Sequence, residues 1–152
     1  MPIDIEGIRS RLTSHAQDLG VFGQVLDHEP VSAPGSGLTY AVWLGEIAPS
    51  PQNSGLASTS ARVTFNGRLY LPADTEPMGD VDLQLGAAVD QLIGAYSGGF
   101  TLGGSVRNLD LLGAGGEALR APFRYLQLDS TTYRTAHLNI PMILSNVWAQ
   151  AS

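Results

Sequence analysis

The sequence predicts an α+β fold, a single domain in which two helices pack on one face of a mostly antiparallel sheet. Three observations lead there. Two segments repeat apolar residues at the three-and-four spacing of a helix, and glycine follows each. The remaining patterned segments are short and rich in β-branched and aromatic residues, joined by turn-like connections rather than further helices, so the element order reads α-β-β-β-α-β-β-β. Hydrophobic residues make up 43% of the 152 positions and charged residues 14%, which suits one substantial core. No internal repeat or linker interrupts the chain.

The first helix begins at Asp4, whose carboxylate can cap it, with Glu6 near the positive end of its dipole. Ile5, Ile8, Leu12, Ala16 and Leu19 form one stripe, Ile3 and Ile8 have the spacing of a hydrophobic staple, and Gly20 stops the helix. Phe22 to Asp27 reads as a short strand and Val31 to Gly37 as loop. Leu38 to Ile47 reads as a strand covered on both faces, and Pro49 to Gly55 as a polar loop.

Ser60 to Leu71 alternates most cleanly. Ala61, Val63, Phe65, Leu69 and Leu71 share one face with Gly67 in phase; Arg62, Thr64, Asn66, Arg68 and Tyr70 share the other. Asn66-Gly67 invites a hairpin. A two-residue turn would set Phe65 opposite Arg68 and Thr64 opposite Leu69, mixing apolar with polar side chains on both faces. One uninterrupted strand keeps the faces clean.

An acidic turn region spans Pro72 to Gly79. The second helix runs from about Asp80 to Tyr96, its apolar face formed by Val81, Leu85, Ala88, Val89, Leu92 and Tyr96, and Gly98-Gly99 ends it. Ser105 to Leu112 and Phe123 to Leu128 read as strands around a Gly113–Pro122 loop. After a turn at Asp129–Thr132 comes a last strand, in which Ala136, Leu138, Ile140, Met142 and Leu144 alternate with Thr135, His137 and Asn139. Pro141 removes a ladder donor and predicts an edge or a bulge there.

Charge narrows the functional classes. All eight basic residues are arginine, the formal net charge is -6, and residues 1–104 hold four arginines against eleven acids. Residues 105–152 hold four arginines against three acids. A protein that grips duplex DNA shows a basic stripe, because counterion release supplies most non-specific affinity. This chain repels duplex over most of its surface. The absence of cysteine removes disulfides and thiolate metal sites. Charged residues interrupt the N-terminal segment, and no apolar run approaches membrane-spanning length, so no targeting signal and no membrane contact are expected.

Chemistry-bearing patterns fall short of a site. Gly113 to Ala118 matches a G-x-G-x-x-A dinucleotide fingerprint, but Pro122 leaves no room for the following helix, and Tyr133 stands near where the acid belongs. A flexible loop accounts for it. His15, His28 and His137 lack a nucleophile elbow or any motif that assembles a triad. Asp74, Glu76, Asp80 and Asp82, with His28-Glu29, lack the spacing of a hard-cation loop. Tyr40, Trp43, Phe65, Tyr70, Phe123 and Tyr125 lie on strands, half of them among aliphatics, with no arginines clustered beside them to stack on bases. No catalytic, cofactor or metal role is assigned to any residue. Arg62, Arg68 and Tyr70 project from the polar face of the long strand, as a subunit contact or a solvated face.

Three blocks carry a family resemblance: Ser60–Tyr70 (SARVTFNGRLY), Ala95–Leu112 (AYSGGFTLGGSVRNLDLL), and Tyr133-Arg134 through Ile140–Trp148 (IPMILSNVW). The chain resembles, from about Gly55 onward, the tail terminator family of siphophages in its actinobacteriophage version; Leu71-Pro72-Ala73 departs from that pattern. The resemblance implies a non-catalytic virion protein made in the host cytoplasm. It implies a hexameric ring of this chain that caps the head-proximal end of the tail tube. Its partners are then the major tail tube protein and a head-completion connector protein, with DNA passing transiently through the lumen. On this reading Arg62, Arg68, Tyr70, Arg107 and Arg134 are candidate inter-subunit contacts. A head–tail connector or stopper ring, and a small α+β enzyme or ligand-binding domain, are the rival readings.

Overall fold

The computed structural model describes residues 2–150. Helix α1 (Ile5–Leu19) is followed by strands β1 (Gln24–Leu26), β2 (Thr39–Ser50) and β3 (Ser58–Pro72), helix α2 (Val81–Gly98), and strands β4 (Asn108–Leu109), β5 (Phe123–Leu128) and β6 (Thr131–Ala149). The order is the one the sequence predicts. The six strands form one mostly antiparallel, curled sheet in the order β1-β2-β3-β6-β4, with β5 pairing β6 beside β4; only β1 and β2 run parallel. The fold is α+β.

Local chemistry sets the helix ends. The Asp4 carboxylate accepts from the Gly7 amide at 3.0 Å, and Gly20 closes α1 in the left-handed region at φ 70°, donating to the Gln17 carbonyl. These satisfy groups that a helix end leaves unpaired. Ile8, Leu12 and Ala16 of α1 and Val81, Leu85, Ala88, Val89, Leu92 and Tyr96 of α2 are the buried positions. They pack on one sheet face, formed by Tyr40, Val42, Val63, Phe65, Leu69, Ala136, Leu138, Ile140 and Met142. Two hydroxyls inside this core satisfy each other: Tyr40 and Tyr96 meet at 2.8 Å, and Tyr96 donates to the Leu12 carbonyl at 3.1 Å. Burial holds both phenols above their ordinary pKa of 10.0. Gly67 makes room for this pair, because a methyl there would overlap the Tyr40 ring and hydroxyl.

Strand β3 runs straight through Asn66-Gly67, and its pairing with β6 sets Phe65 opposite Ile140 and Arg68 opposite His137, apolar with apolar and polar with polar. Face segregation overrides the turn propensity of the dipeptide.

Four expectations change. Strand β6 is central rather than an edge, flanked by β3 on one side and by β4 and β5 on the other. Its odd-numbered residues turn their backbone groups toward β5 and β4: His137 donates to Pro122, and Asn139 to Arg120. Pro141 falls in that set, between the β5 and β4 ladders, where its carbonyl accepts from Asp110 and no N–H is required. The expected Ser105–Leu112 strand shrinks to two residues, because the chain turns through Gly103 and Gly104 at positive φ and then bends back at Asp110. Strand β2 is buried over Thr39–Val42 and again at Ser50 but open over most of the stretch between, since β1 covers its outer edge for three residues alone. It also continues through Pro49 and Ser50, so the polar loop begins two residues later, at a 3-10 turn over Pro51–Asn53.

Candidate functional site

The sheet face opposite the helices carries the polar side chains. A small apolar cluster of Ala41, Tyr70 and Tyr133 closes one end, where the 27–37 loop folds over: Tyr133 donates to the Gly35 carbonyl at 3.2 Å, and the Ala33 amide to Asp129 at 2.8 Å. The Asp110–Glu117 loop covers the other end. An open stretch remains between them.

Arg68 organises that stretch. Its Nε donates to His137 Nδ1 and its Nη1 to the Tyr70 hydroxyl, both at 3.2 Å, while Glu29 lies 3.6 Å away. The guanidinium stacks 5.0 Å from the Trp43 ring centre. Because arginine only donates, His137 Nδ1 accepts, so its Nε2–H donates to Asn66 Oδ1 at 3.0 Å. The imidazole is therefore neutral, and burial, with Arg68 beside it, lowers its pKa from the ordinary 6.5. Both ring nitrogens are committed, Nδ1 to Arg68 and Nε2 to Asn66. Tyr70 is fully buried, and burial raises its phenol pKa despite the neighbouring Arg68.

Arg62 does not project from a solvated face. Its side chain is only 12% exposed; it lies 3.1 Å from the Asp110 carboxylate and donates to the Glu117 carbonyl at 2.7 Å. Its Nη1 is buried without a hydrogen-bond partner. Asp110 in turn accepts from the Ala114 and Gly115 amides at 2.9 and 3.0 Å. The glycine-rich segment that resembles a dinucleotide fingerprint thus closes its amides around its own carboxylate. It is pinned rather than flexible, and the charge a pyrophosphate would bring is already supplied by Asp110.

The other arginines divide. Arg134 lies on the helix face at the end of the sheet, where it binds Asp82 of α2 at 2.8 Å and stacks 4.5 Å from the Tyr125 ring. Arg107 is exposed and reaches Ser145 at 3.4 Å. Arg124 and Arg120 carry no local sequence signal that sets them apart. With Arg68, Thr135 and His137 they line an open cleft of about 330 Å³ with no carboxylate in its lining. The pairing of a loop residue, Arg120, with Asn139 brings Arg120 there, and that pairing leaves no local signature.

His15 binds its own helix through the Arg11 carbonyl, and His28 binds Asp27; neither shares a hydrogen bond with His137. Among the described residues no three histidine or acidic side chains converge as metal ligands, and no helix is long and apolar enough to cross a membrane. What the arrangement offers is a rigid sheet with exposed margins. Among the described residues the outer edge of β2 has no strand partner beyond Ala41, and the outer edge of β5 has none at all. The sequence matches no protein-family model and no curated protein.

Proposed function

We propose that this chain is a non-catalytic, ring-forming subunit of a long-tailed bacteriophage virion, the terminator that closes the head-proximal end of the tail tube. One observation carries the reading: a single stiff sheet ends in two unlike, unpaired margins, β2 on one side and β5 on the other. Contact between unlike surfaces is heterologous, and heterologous contacts generate rings when the rotation closes. A protein acting alone usually blunts such edges.

The resemblance supplies the biological setting. Its three blocks fall on β3, on the end of α2 through β4, and on β6, and these elements adjoin, since β6 pairs with both β3 and β4. They form the frame on which the two margins are hung. On the arginine-bearing face Arg62 and Arg68 are paired internally with Asp110 and Glu29, which lowers the positive charge that a ring of these subunits offers to passing DNA. In this reading the ring is a hexamer, made in the host cytoplasm, that contacts the major tail tube protein below and the head-completion connector above.

Adding the purified protein to polymerising tail tube protein from the same phage tests the reading. A terminator stops elongation without any head component and leaves tubes with one closed end. A head–tail connector ring leaves elongation unchanged and binds only tubes already capped. Unchanged elongation therefore sinks the terminator assignment.

A further inference from the structure

The two free margins carry matching side chains on matching faces. On β2, Leu44 pairs with Phe65 and Ile47 with Val63, which sets both on the helix face; between them a bulge at Gly45 brings Glu46 opposite Thr64, on the polar face. Leu44 and Ile47 are 40% and 44% exposed although they lie beside the core. On β5, Phe123 pairs with Ala136 and Tyr125 with Arg134, on the helix face, while Arg124 pairs with Thr135 on the polar face. Each margin is thus apolar, charged, apolar, with opposite signs.

The charges are unspent. Glu46 is the sole charged residue of β2, it is exposed, and among the described residues it has no ion pair. Among the described residues the Arg124 guanidinium likewise has no ion-pair partner, and its neighbour Arg120 has an exposed contact with Glu117 at 4.0 Å. The backbone is also ready. His137 donates to Pro122, so alternation turns the N–H and C=O of Phe123, Tyr125 and Gln127 to the open side of β5.

We infer that the occupant of the β5 margin is the β2 margin of a second copy of this chain, with Glu46 of one copy seated against Arg124 and Arg120 of the next. The inference rests on the ring reading above and specifies its contact. In a ring every copy turns the same sheet face toward the axis, so Glu46 meets the arginine-lined cleft while Leu44 and Ile47 meet Phe123 and Tyr125. An edge contact of this kind joins main-chain hydrogen bonds to side-chain selectivity. The two charges set the register and disfavour like-edge pairing.

Charge exchange tests it on the full-length protein by native mass spectrometry. Glu46→Arg and Arg124→Glu each weaken assembly by at least about tenfold in concentration, whereas Asp90→Arg, on the exposed side of α2, leaves it unchanged. Mixing the two weakened variants restores a ring of alternating subunits, because each then meets its opposite charge at both margins. Circular dichroism of each variant separates a folding defect from an assembly defect. The double variant E46R/R124E, which restores the pairing within one chain, replaces either single variant that fails to fold. Wild-type rings indifferent to both substitutions, or variants not rescued by mixing or in the double variant, overturn this contact alone. A wild-type chain that stays monomeric overturns the ring reading and this contact together.

Discussion

The Arg62 guanidinium lies 3.1 Å from the Asp110 carboxylate, joining the long central strand β3 to the loop after β4. Both side chains are largely removed from solvent, and Asp110 also gathers two backbone amides of that loop. The pair is a clasp for the glycine-rich segment. Arg62→Ala leaves the buried carboxylate without its counter-charge and is expected to destabilise by about 3 kcal/mol, near the low end for breaking a buried pair because the amides remain. Arg62→Lys recovers only part, since one ammonium cannot bind Asp110 and the Glu117 carbonyl in the same fork geometry. Urea unfolding of both variants measures this; equal, negligible losses would remove the clasp.

The Tyr40–Tyr96 hydroxyl pair predicts an asymmetry. Tyr40→Phe leaves Tyr96 bonded to the Leu12 carbonyl and costs about 1 kcal/mol, the worth of one hydrogen bond. Tyr96→Phe leaves the Tyr40 hydroxyl without a partner in the core, while the Leu12 carbonyl keeps its bond within α1, and costs about 1–3 kcal/mol. Gly67→Ala drives a methyl into the Tyr40 ring and costs about 1–3 kcal/mol as overpacking, even though the residue lies in a strand that favours a side chain. Thermal or denaturant midpoints rank the three.

His137 gives the fold a pH dependence of fixed sign. Its pKa in the folded chain lies below the ordinary 6.5, through burial first and then the positive charges of Arg68 and Arg124, against an opposing pull from Glu29. The unfolded chain therefore binds the proton more readily. The stability from the neutral imidazole is complete above about pH 6.5 and is lost as pH falls through the lowered folded value. The stability difference between wild type and His137→Gln should shrink from pH 7.5 to pH 5. A difference that stays constant or grows contradicts the neutral, Arg68-bound state.

Arg134 separates packing from charge. Asp82 is largely exposed, so Asp82→Asn costs about 0.5 kcal/mol or less. Arg134→Ala also removes the guanidinium from over Tyr125 and Phe123 and costs about 1–2 kcal/mol. Equal losses in the two variants would show that the ion pair alone matters.

Most elements were legible because their signals are local. The stripes of α1 and α2 become the buried positions, and the period-2 pattern of Ser60–Leu71 identifies β3 despite Asn66-Gly67. What escaped depends on distant partners. Nothing near Pro141 says that two short ladders leave a gap opposite it, and nothing near Arg62 reveals a carboxylate 48 positions away. The β2 margin misled for the same reason: LTYAVWLGEI is apolar enough for burial on both faces, yet β1 covers only its start. Of the residues expected to face neighbours, Arg62, Arg68 and Arg134 are drawn into internal contacts and Tyr70 is buried. Arg107 stays exposed, and on the two sheet margins the charges without an ion pair among the described residues are Glu46 and Arg124.

A cryo-electron map of the intact phage tail, resolved well enough to trace this chain, tests the central claim most directly. The account predicts a closed ring of the chain at the head-proximal end of the tube, with β2 of each copy against β5 of the next. Finding the chain at the distal tip, or finding no copy of it in the particle, would contradict it.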